Sequence, residues 1–357
     1  MAMQSLVPAG EFKPSYAADT TIFPTVTSRN ALILSLAVLC LAPVVFDRYI
    51  LSLLIQIGYL SIAALGLNIL VGFTGQISIG HAAFFGFGAF ASAYVSNKFG
   101  VPVFLAVPIG GLMTTGVGLI FGLPAARLKG LYLAIATLAA QYILQDFFAR
   151  AEWFTGGVAG TVAEPFSLFG YKLDNDQRYF YVVLGYMVVC FLLATNLMRT
   201  RDGRAFIAVR DHYLSAEMMG INLAKYRTLS FGISAFFAGI GGALYGHYLQ
   251  YVSVEGFTIL FSIQFLGMII IGGLGSISGT IMGTVFMTLL PEAMEWLTSG
   301  LAGSAIDRAL GLKTNISYLR EMAVGLVIIL FLMFEPDGLA HRWRQIKAYW
   351  KLYPFSY

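Results

Sequence analysis

Long apolar blocks separated by short polar stretches run along most of the chain. The blocks lie at about 31–46, 50–71, 78–96, 102–123, 131–148, 179–198, 228–250, 259–272, 277–290 and 318–334. A helix needs about 20 residues to cross the hydrocarbon core of a bilayer. Because the blocks are continuous and lack a period of two, they predict helices and not a β-barrel. The pattern therefore predicts an all-α polytopic membrane protein with about ten transmembrane or re-entrant helices.

The composition excludes a water-soluble globular fold. Of the 357 residues, 58% are hydrophobic and 11% are charged, whereas roughly 25% of residues are charged in a typical soluble domain. The two cysteines, Cys40 and Cys190, both lie in apolar blocks. Isolated thiols in such blocks are more often packing residues than parts of a disulfide or a metal site.

The distribution of charge predicts the orientation. Basic residues concentrate in the segment 199–227, in the C-terminal tail 336–357 and in a turn with Arg127 and Lys129, whereas the segment 149–178 leans acidic. Lys and Arg favour the cytoplasmic loops of membrane proteins. We therefore expect 199–227 to be a cytoplasmic loop, 149–178 to be an outer loop, and both termini to lie in the cytoplasm.

The first 30 residues differ from the apolar remainder of the chain. They contain three prolines and charges of both signs, with no apolar core after a basic start. This pattern is unlike a secretory signal and predicts a flexible cytoplasmic tail. The expected organisation is a tail over 1–30, a transmembrane domain over 31–335 and a basic cytoplasmic tail over 336–357.

The predicted orientation constrains the two short blocks near the C-terminal end. If the block 228–250 leaves the cytoplasm and the block 318–334 returns to it, the stretch 259–290 must begin and end on the outer side. Each leg of that stretch has about 14 residues, or about 21 Å of helix, which is less than the ~30 Å of the hydrocarbon core. We therefore expect a broken or re-entrant helix pair with its turn in IGGLGSISG, a geometry tolerated where it lines a cavity or packs inside protein.

A seven-residue motif occurs twice, 200 residues apart. GFTGQIS at 72–78 and GGLGSIS at 272–278 share two glycines, an isoleucine and a serine, and the predicted topology places both at an inner turn. Glycine-interrupted segments in two halves of a chain indicate the substrate path of a transporter, and a close-packing seam is the alternative. Gly86 and Gly88, further along, are expected to be helix-packing positions. The candidate pathway residues are Gly72, Thr74, Gly75, Gln76, Ser78, His81, Gly272, Gly275, Ser276 and Ser278.

Few residues in the apolar blocks suggest chemistry or an energy source. The sequence contains no G-x-x-x-x-G-K-[ST] nucleotide-binding loop, and it shows no His/Cys metal cluster or nucleophile triad. Ion-coupled carriers usually place ionisable groups within their spans, and the candidates here are His81, His247 and Asp146 near a span end. A lone His on an apolar helix is more often a packing residue than a proton relay. We expect no enzyme activity, so energy must come from a partner or from the solute gradient.

The segment 201–227, RDGRAFIAVRDHYLSAEMMGINLAKYR, is too apolar for a solvated linker and too charged for the membrane. Asp211 is expected to cap a short helix over 215–219, which Gly220 ends. One interpretation is an amphipathic helix that rests on the anionic inner leaflet. The other is a docking helix for a soluble cytoplasmic subunit.

The pattern AVRDHYLSAEMMGIN at 208–222 resembles the coupling segment of permease subunits in bacterial ABC importers. The resemblance is to the branched-chain amino acid permease family, and within it to the second, longer permease type. Supporting matches, in the family's order, are GFTGQISIGHAAFFGFGAF (72–90), RLKGLYLAIATLA (127–139), FFAGIGGALYG (236–246), GGLGSISGTIMG (272–283) and EPDGL (335–339). The ATPase-coupling residues that this resemblance implies are Arg204, Arg210, Asp211, Ala216, Glu217, Met218 and Gly220.

The resemblance implies an importer in the bacterial inner membrane. It implies two homologous permease subunits, two cytoplasmic ATPase subunits and a periplasmic solute-binding protein. ATP and magnesium would be bound by the ATPase subunits, and this chain would bind no cofactor or metal. The implied cargo is a hydrophobic amino acid, although relatives serve urea, short amides or other small carboxylates. An ion-coupled secondary carrier and a passive channel are the rival classes, and membrane lipid, but not nucleic acid, is an expected partner.

The outer loop 149–178 has two interpretations. It carries Trp153, Phe154, Phe166 and Phe169 among its acidic residues. We expect it either to meet the solute-binding protein or to form a self-packed cap on the bundle. The sequence does not choose between the two.

Overall fold

The computed structural model describes residue 15 and residues 26–128, 130–168, 171–173, 175–300 and 316–352. Its principal helices are α1 (Val26–Val45), α2 (Arg48–Leu67), α3 (His81–Phe99), α4 (Val103–Ala125), α5 (Leu131–Arg150), α6 (Asp176–Arg199), α7 (Arg201–Met218), α8 (Leu223–Leu249), α9 (Ile259–Gly272), α10 (Ile277–Gly300), α11 (Ile316–Phe334) and α12 (Leu339–Leu352). Within the described residues, 8 helices are long and apolar enough to cross a membrane. The chain is an all-α polytopic membrane protein, as the apolar blocks predict.

Helix α10 is longer than the sequence suggests. It has 24 residues, or about 36 Å of helix, so the prediction of a short second leg over 277–290 is wrong. Two carboxylates beyond that point have partners on neighbouring helices, because Glu292 accepts a hydrogen bond from the Tyr49 hydroxyl and Glu295 pairs with Arg320. The helix therefore continues to Gly300 through a polar stretch whose carboxylates are paired with neighbouring helices. The first leg, α9, has the expected 14 residues.

Helices α2 and α8 form the centre of the bundle, with α3 and α4 packed closely against α8. The apolar window of α8 is 78% buried and that of α2 is 72% buried, against 6% for α11. Glycines allow this close contact. A β-carbon on Gly88 would lie 2.3 Å from the Gly239 Cα atom of α8, and one on Gly86 would lie 2.6 Å from the Phe257 ring. Gly86 and Gly88 are packing positions, as expected.

Helices α1 and α11 lie at the periphery of the described bundle. The contacts of α1 are mainly with α6, and those of α11 are with α9 and α10. Among the described residues of α11, Val324 alone is buried. The exposed leucine, isoleucine and valine side chains of these helices form an apolar outer surface that suits a bilayer or a second membrane subunit.

Short strands join two loops at the end of α6 that is far from α7. The loop after α5 contains β1 (Thr161–Val162) and the loop after α8 contains β4 (Tyr251–Val252), and these two strands pair antiparallel. A small hairpin of β2 (Ser167–Leu168) and β3 (Tyr171–Lys172) lies between β1 and α6. The two loops therefore form a connected cover at this end of the bundle.

The loop 149–178 is partly packed onto the bundle. Phe154 and Phe166 are buried, whereas Trp153 is 68% exposed. Phe169 lies outside the described residues. The loop thus has a packed inner side, and its contact with a solute-binding protein stays a prediction.

Some expectations fall on the ends of the chain. Most of the predicted tail 1–30 lies outside the described residues, and α1 already begins at Val26. Lys129 lies outside them as well. The predicted C-terminal tail 336–357 contains α12, and residues 353–357 are outside the described part.

Candidate coupling and pathway site

The first glycine motif forms the end of α2. That helix continues as a π-helical turn over Asn68–Phe73, after which the Gly75 N–H donates to the Val71 carbonyl at 3.1 Å. Gly75 has a φ of 69°, a left-handed value that favours glycine at the end of a helix. Residues 74–80 then run without regular helical structure to the start of α3.

This non-helical segment exposes alternate residues. Gly75 is exposed and Ile77 is 44% exposed, whereas Gln76 is 3% and Ser78 1% exposed. A period of two is that of an extended chain, whose side chains point to opposite sides. The segment therefore has one open side, formed by glycine and isoleucine, and one side that faces the protein interior.

The segment leads back into the bundle before α3 begins. The first residue of α3, His81, places its Nε2 atom 2.8 Å from the Ala63 carbonyl oxygen of α2. Ala63 is ten residues before Phe73, the end of the π-helical turn, which corresponds to about 15 Å along the helix. The His81 ring also packs edge-on against Phe265, with 5.3 Å between ring centroids. His81 is a buried packing residue here, as the sequence favours.

The buried side of the segment holds a small hydrogen-bond network. Gln76 Nε2 donates to the Ser230 hydroxyl of α8 at 2.7 Å and to the Thr74 hydroxyl at 3.1 Å, and the Thr74 hydroxyl donates to the Leu70 carbonyl at 2.5 Å. Gln76 Oε1 and Ser78 Oγ are buried without a hydrogen-bond partner in the described chain. These bonds tie the first turn to α8.

The second motif forms the turn between α9 and α10 and shares one backbone feature with the first. Gly275, the counterpart of Gly75, has a φ of 74°. The Ser276 hydroxyl accepts from the Gly279 N–H at 3.1 Å, which caps the start of α10. The two motifs therefore share a left-handed glycine after a helix, although α10 begins directly after the second motif and α3 begins only at His81 after the first.

Glycine also brings the two legs of this second turn together. A β-carbon on Gly272, in α9, would lie 2.1 Å from the Gly279 carbonyl oxygen of α10. Ser278 is exposed beside the turn, while Gly275 and Ser276 are half-buried. The second motif thus combines a closely packed backbone with an open edge.

Asn68, which is not among the predicted site residues, joins the two turns. Its buried side chain donates to the Ser276 carbonyl at 2.9 Å and to the Thr280 hydroxyl at 2.7 Å, and it accepts from the Gly275 N–H at 2.9 Å. A β-carbon on Gly72 would lie 2.3 Å from the Gly275 nitrogen. The two turns are therefore in backbone contact and share one amide. The signal in the sequence is an amide within the apolar end of α2.

Arg210 of α7 contacts both turns. Its Nη1 donates to the Gly72 carbonyl at 2.7 Å, and its Nε pairs with the Asp211 carboxylate at 2.8 Å. A β-carbon on Gly75 would lie 3.0 Å from Arg210 Cγ, and one on Gly275 would lie 2.9 Å from Arg210 Nη1. Because a charged donor makes a stronger hydrogen bond than a neutral one, the guanidinium group is a firm link between α7 and the motifs.

Helix α7 is longer than expected and is broken at His212, which has φ −155° and ψ 86°. The His212 Nδ1 accepts from the Ser215 N–H at 3.4 Å. The prediction that Asp211 caps the second part of the segment is therefore wrong. Asp211 still belongs to the first helical part and binds Arg210, and the extended residue that precedes the second part is His212.

The second part of α7 presents an apolar tip. Met218 and Met219 are 89% and 85% exposed, and Leu214 is 52% exposed. Gly220 follows with a φ of 86°, a left-handed residue that ends the helix as predicted. Exposed apolar side chains beside a basic segment are typical of a surface that a partner or a membrane covers.

The other predicted coupling residues lie apart from the turns. Ala216 is buried, whereas Glu217 is exposed. Arg204 is also exposed and donates to the Arg199 carbonyl at 3.1 Å. Among the seven predicted ATPase-coupling residues, Arg210 is therefore the one that the described contacts connect to the glycine motifs.

The EPDGL stretch, 335–339, packs on the second turn. A β-carbon on Gly338 would lie 2.5 Å from the Gly273 nitrogen, and one on Gly273 would lie 2.8 Å from the Asp337 carbonyl oxygen. Four motifs that are far apart in the sequence thus meet at one end of the bundle.

The remaining ionisable candidates have local partners. The two ring nitrogens of His247 lie 2.8 Å from the Ser92 hydroxyl and 2.7 Å from the Glu164 carbonyl oxygen. Asp146 pairs with Arg150 at 2.8 Å on an exposed surface. Within the residues that the structure describes, no cluster of His, Cys, Asp or Glu is suited to hold a metal ion.

Comparison with known proteins places these features in a family. Residues 49–334 match the family described as the branched-chain amino acid transport system permease component. The chain is 31% identical over 258 residues to the high-affinity branched-chain amino acid transport system permease protein LivM of Escherichia coli (strain K12), which covers 66% of this chain and 61% of LivM. It is 27% identical to the probable branched-chain amino acid transport permease protein LivH of Methanocaldococcus jannaschii, over 81% of this chain and 90% of LivH. It is 26% identical to the ribose import permease protein RbsC of Haemophilus influenzae, over 73% and 81%.

The matched region begins in α2 and ends with α11, so it contains both glycine turns and α7. The chain spans 61% of the length of the E. coli LivM protein, which is less than two thirds. No solved structure matches the chain. With 49–334 matched, the chain is a multi-pass membrane protein that belongs to the branched-chain amino acid transport system permease family.

Proposed function

We propose that this chain is a permease subunit of an ATP-driven ABC importer that moves hydrophobic or branched-chain amino acids across the bacterial inner membrane. The observation that carries the proposal is the contact of Arg210 with both glycine turns. A soluble subunit that displaces α7 would act directly on the backbone of those turns. A secondary carrier or a passive channel needs no exposed helix seated on its inner turns.

The proposed partners follow from the surfaces at the two ends of the bundle. Two cytoplasmic ATPase subunits would hold ATP and magnesium, and one would receive the apolar tip of α7, formed by Leu214, Met218 and Met219. Methionine side chains adapt well to such a docking groove. The likeness to both LivM and LivH supports a homologous second permease. The periplasmic solute-binding protein would meet the loop 149–178, where Trp153 is exposed.

The proposed topology has ten membrane segments, α1 to α6 and α8 to α11, with both termini in the cytoplasm. Four exposed cations lie at one end of the bundle: Arg127 lies between α4 and α5, Arg201 and Arg204 lie at the start of α7, and Lys225 lies at the start of α8. Such cations favour the cytoplasmic side. The acidic loop 149–178 would then face the periplasm.

The proposed cargo path follows the open side of the two turns. The open or half-open motif residues are Gly75, Gly275, Ser276 and Ser278, with Ile77 beside them. An edge of glycine, isoleucine and serine hydroxyls suits an apolar cargo that must leave easily. The buried members of the predicted pathway set face the protein interior and would meet cargo only after this end of the bundle moves. They are Gly72, Thr74, Gln76, Ser78, His81 and Gly272.

Reconstitution in proteoliposomes tests this proposal. We expect uptake of radiolabelled leucine only when the chain, a second permease, the ATPases, a loaded binding protein and ATP are all present. Ribose is the control cargo, because a ribose permease is among the relatives. Leucine uptake by the isolated chain would refute the importer. Dependence of that uptake on an ion gradient would favour a secondary carrier, and uptake without an ion gradient would favour a passive channel. ATP-driven uptake of urea in place of leucine would keep the importer and refute the cargo.

A further inference from the structure

A groove between α4 and α8 runs along the apolar outer surface to the end of α4. Two adjoining clefts form it, with volumes of about 330 and 440 Å³, and they share Leu119 and Leu229. The smaller cleft, further from the end of α4, is also lined by Leu112, Thr115, Gly232, Ile233 and Phe236. The groove is therefore a continuous apolar channel along two packed helices.

The length of the groove matches one leaflet of a bilayer. Its lining on α4 extends from Leu112 to Leu123, and 11 residues correspond to about 17 Å of helix. Arg127 lies two residues beyond the end of α4. One leaflet contributes about half of the ~30 Å hydrocarbon core, and its headgroup region lies beyond that. A lipid chain that enters at the end of α4 would thus remain in the groove over its whole depth in the leaflet.

The mouth of the groove is positively charged. Arg127 and Lys225 line the larger cleft, at the end of α4, together with Asn222 and Thr228, and no acidic residue lines it. Neither cation takes part in an ion pair within the described chain. Lys225 lies in the first turn of α8, which has no acidic residue, although the positive end of a helix dipole favours one. A cation at that place leaves a local excess of positive charge, which an anion would neutralise.

We propose that this groove binds an anionic phospholipid, with an acyl chain between α4 and α8 and the phosphate on Arg127 and Lys225. Arginine binds phosphate through parallel N–H donors, and lysine binds it as a point charge. Basic pockets between helices at the membrane surface are typical headgroup sites. A second protein subunit on this face would bury both cations, which is unfavourable unless it brings matching acids. Neither Arg127 nor Lys225 is among the residues proposed for the cargo path or for ATPase coupling.

The site is tested on the assembled transporter in nanodiscs of phosphatidylethanolamine and phosphatidylglycerol. Native mass spectrometry counts the retained phosphatidylglycerol, and titration with a fluorescent phosphatidylglycerol gives its affinity. We expect the double variant Arg127→Gln/Lys225→Gln to bind it roughly 30-fold more weakly, at about fivefold for each cation. The matched control, Arg199→Gln/Arg344→Gln, also removes two exposed cations outside the groove and should bind normally.

A second variant keeps the cations and blocks the apolar channel. Leu119→Trp should release the lipid, whereas Leu119→Ala widens the groove and should retain it, and gel filtration checks that each variant is folded. Wild-type retention of phosphatidylglycerol by both the double variant and Leu119→Trp would overturn the proposal. So would equal affinity for phosphatidylethanolamine, or a photocrosslinker at Leu119 that captures only the second permease.

Discussion

Replacing Asn68 by leucine should weaken the link between the two glycine turns. Leucine has a similar volume and branching but no hydrogen-bonding group, so the change removes the three bonds to Gly275, Ser276 and Thr280 without opening a large cavity. Side-chain hydrogen bonds inside membrane proteins are worth about 0.6 kcal/mol on average and up to ~1.7 kcal/mol. Three bonds therefore give an expected loss of about 2 kcal/mol, with an upper limit of about 5 kcal/mol.

The free energy of unfolding in mixed detergent micelles measures this loss directly. Asn196→Leu is the matched control, because Asn196 is exposed on α6 and its side chain accepts a hydrogen bond from the exposed Arg199. Uptake in the complete transporter should fall in the Asn68 variant, because the second turn would no longer follow the first. A loss below about 0.5 kcal/mol, with normal uptake, would refute the role of Asn68 as the link.

Three further substitutions test the same end of the bundle. Arg210→Ala removes a charge-assisted bond to the first turn, so we expect uptake to fall about tenfold while ATP hydrolysis by the assembly continues, and equal loss of both activities would contradict this. Gly75→Ala and Gly100→Ala both place a side chain at a positive φ, at a backbone cost of about 1–2 kcal/mol. The β-carbon added at Gly75 would lie 3.0 Å from Arg210, whereas the one added at Gly100 would meet nothing within 4 Å. Of these two variants, only Gly75→Ala should reduce uptake. In a background without the two native cysteines, Ile77→Cys should react with a small aqueous thiol reagent and Ser78→Cys should not, and the reverse order would show that the open side is wrongly assigned.

The turns themselves could be predicted from the sequence, because each depends on local residues. Glycine at 75 and at 275 provides the left-handed backbone that a sharp turn after a helix requires. The contact between the turns could not be predicted, since it depends on how α2 and α10 pack. Asn68 looks like an isolated polar residue in an apolar helix until the structure shows Gly275 and Thr280 around its amide.

Predictions from the local sequence were wrong where another side chain pairs with the charged residue. The apolar block was predicted to end near residue 290, yet α10 continues and its carboxylates Glu292 and Glu295 pair with Tyr49 and Arg320. It placed a helix cap at Asp211, yet that carboxylate binds Arg210 and the break falls one residue later. In both cases a neighbouring side chain changes the preference that the local sequence expresses.

The arrangement of the three links explains why the two turns should move together. Arg210 binds the carbonyl of Gly72, and Gly72 lies against the backbone of Gly275. The Asn68 side chain also accepts a hydrogen bond from the Gly275 N–H. Separating the turns without moving α7 would leave buried amide and carbonyl groups without partners, at a cost of about 1–3 kcal/mol for each group. A displacement of α7 that carries Gly72 with it keeps these hydrogen bonds. The motion with the lowest free-energy cost therefore moves both turns together as one body. Asn68→Leu distinguishes coupled from separate movement of the two turns, because it removes the hydrogen bonds through which the first turn would move the second.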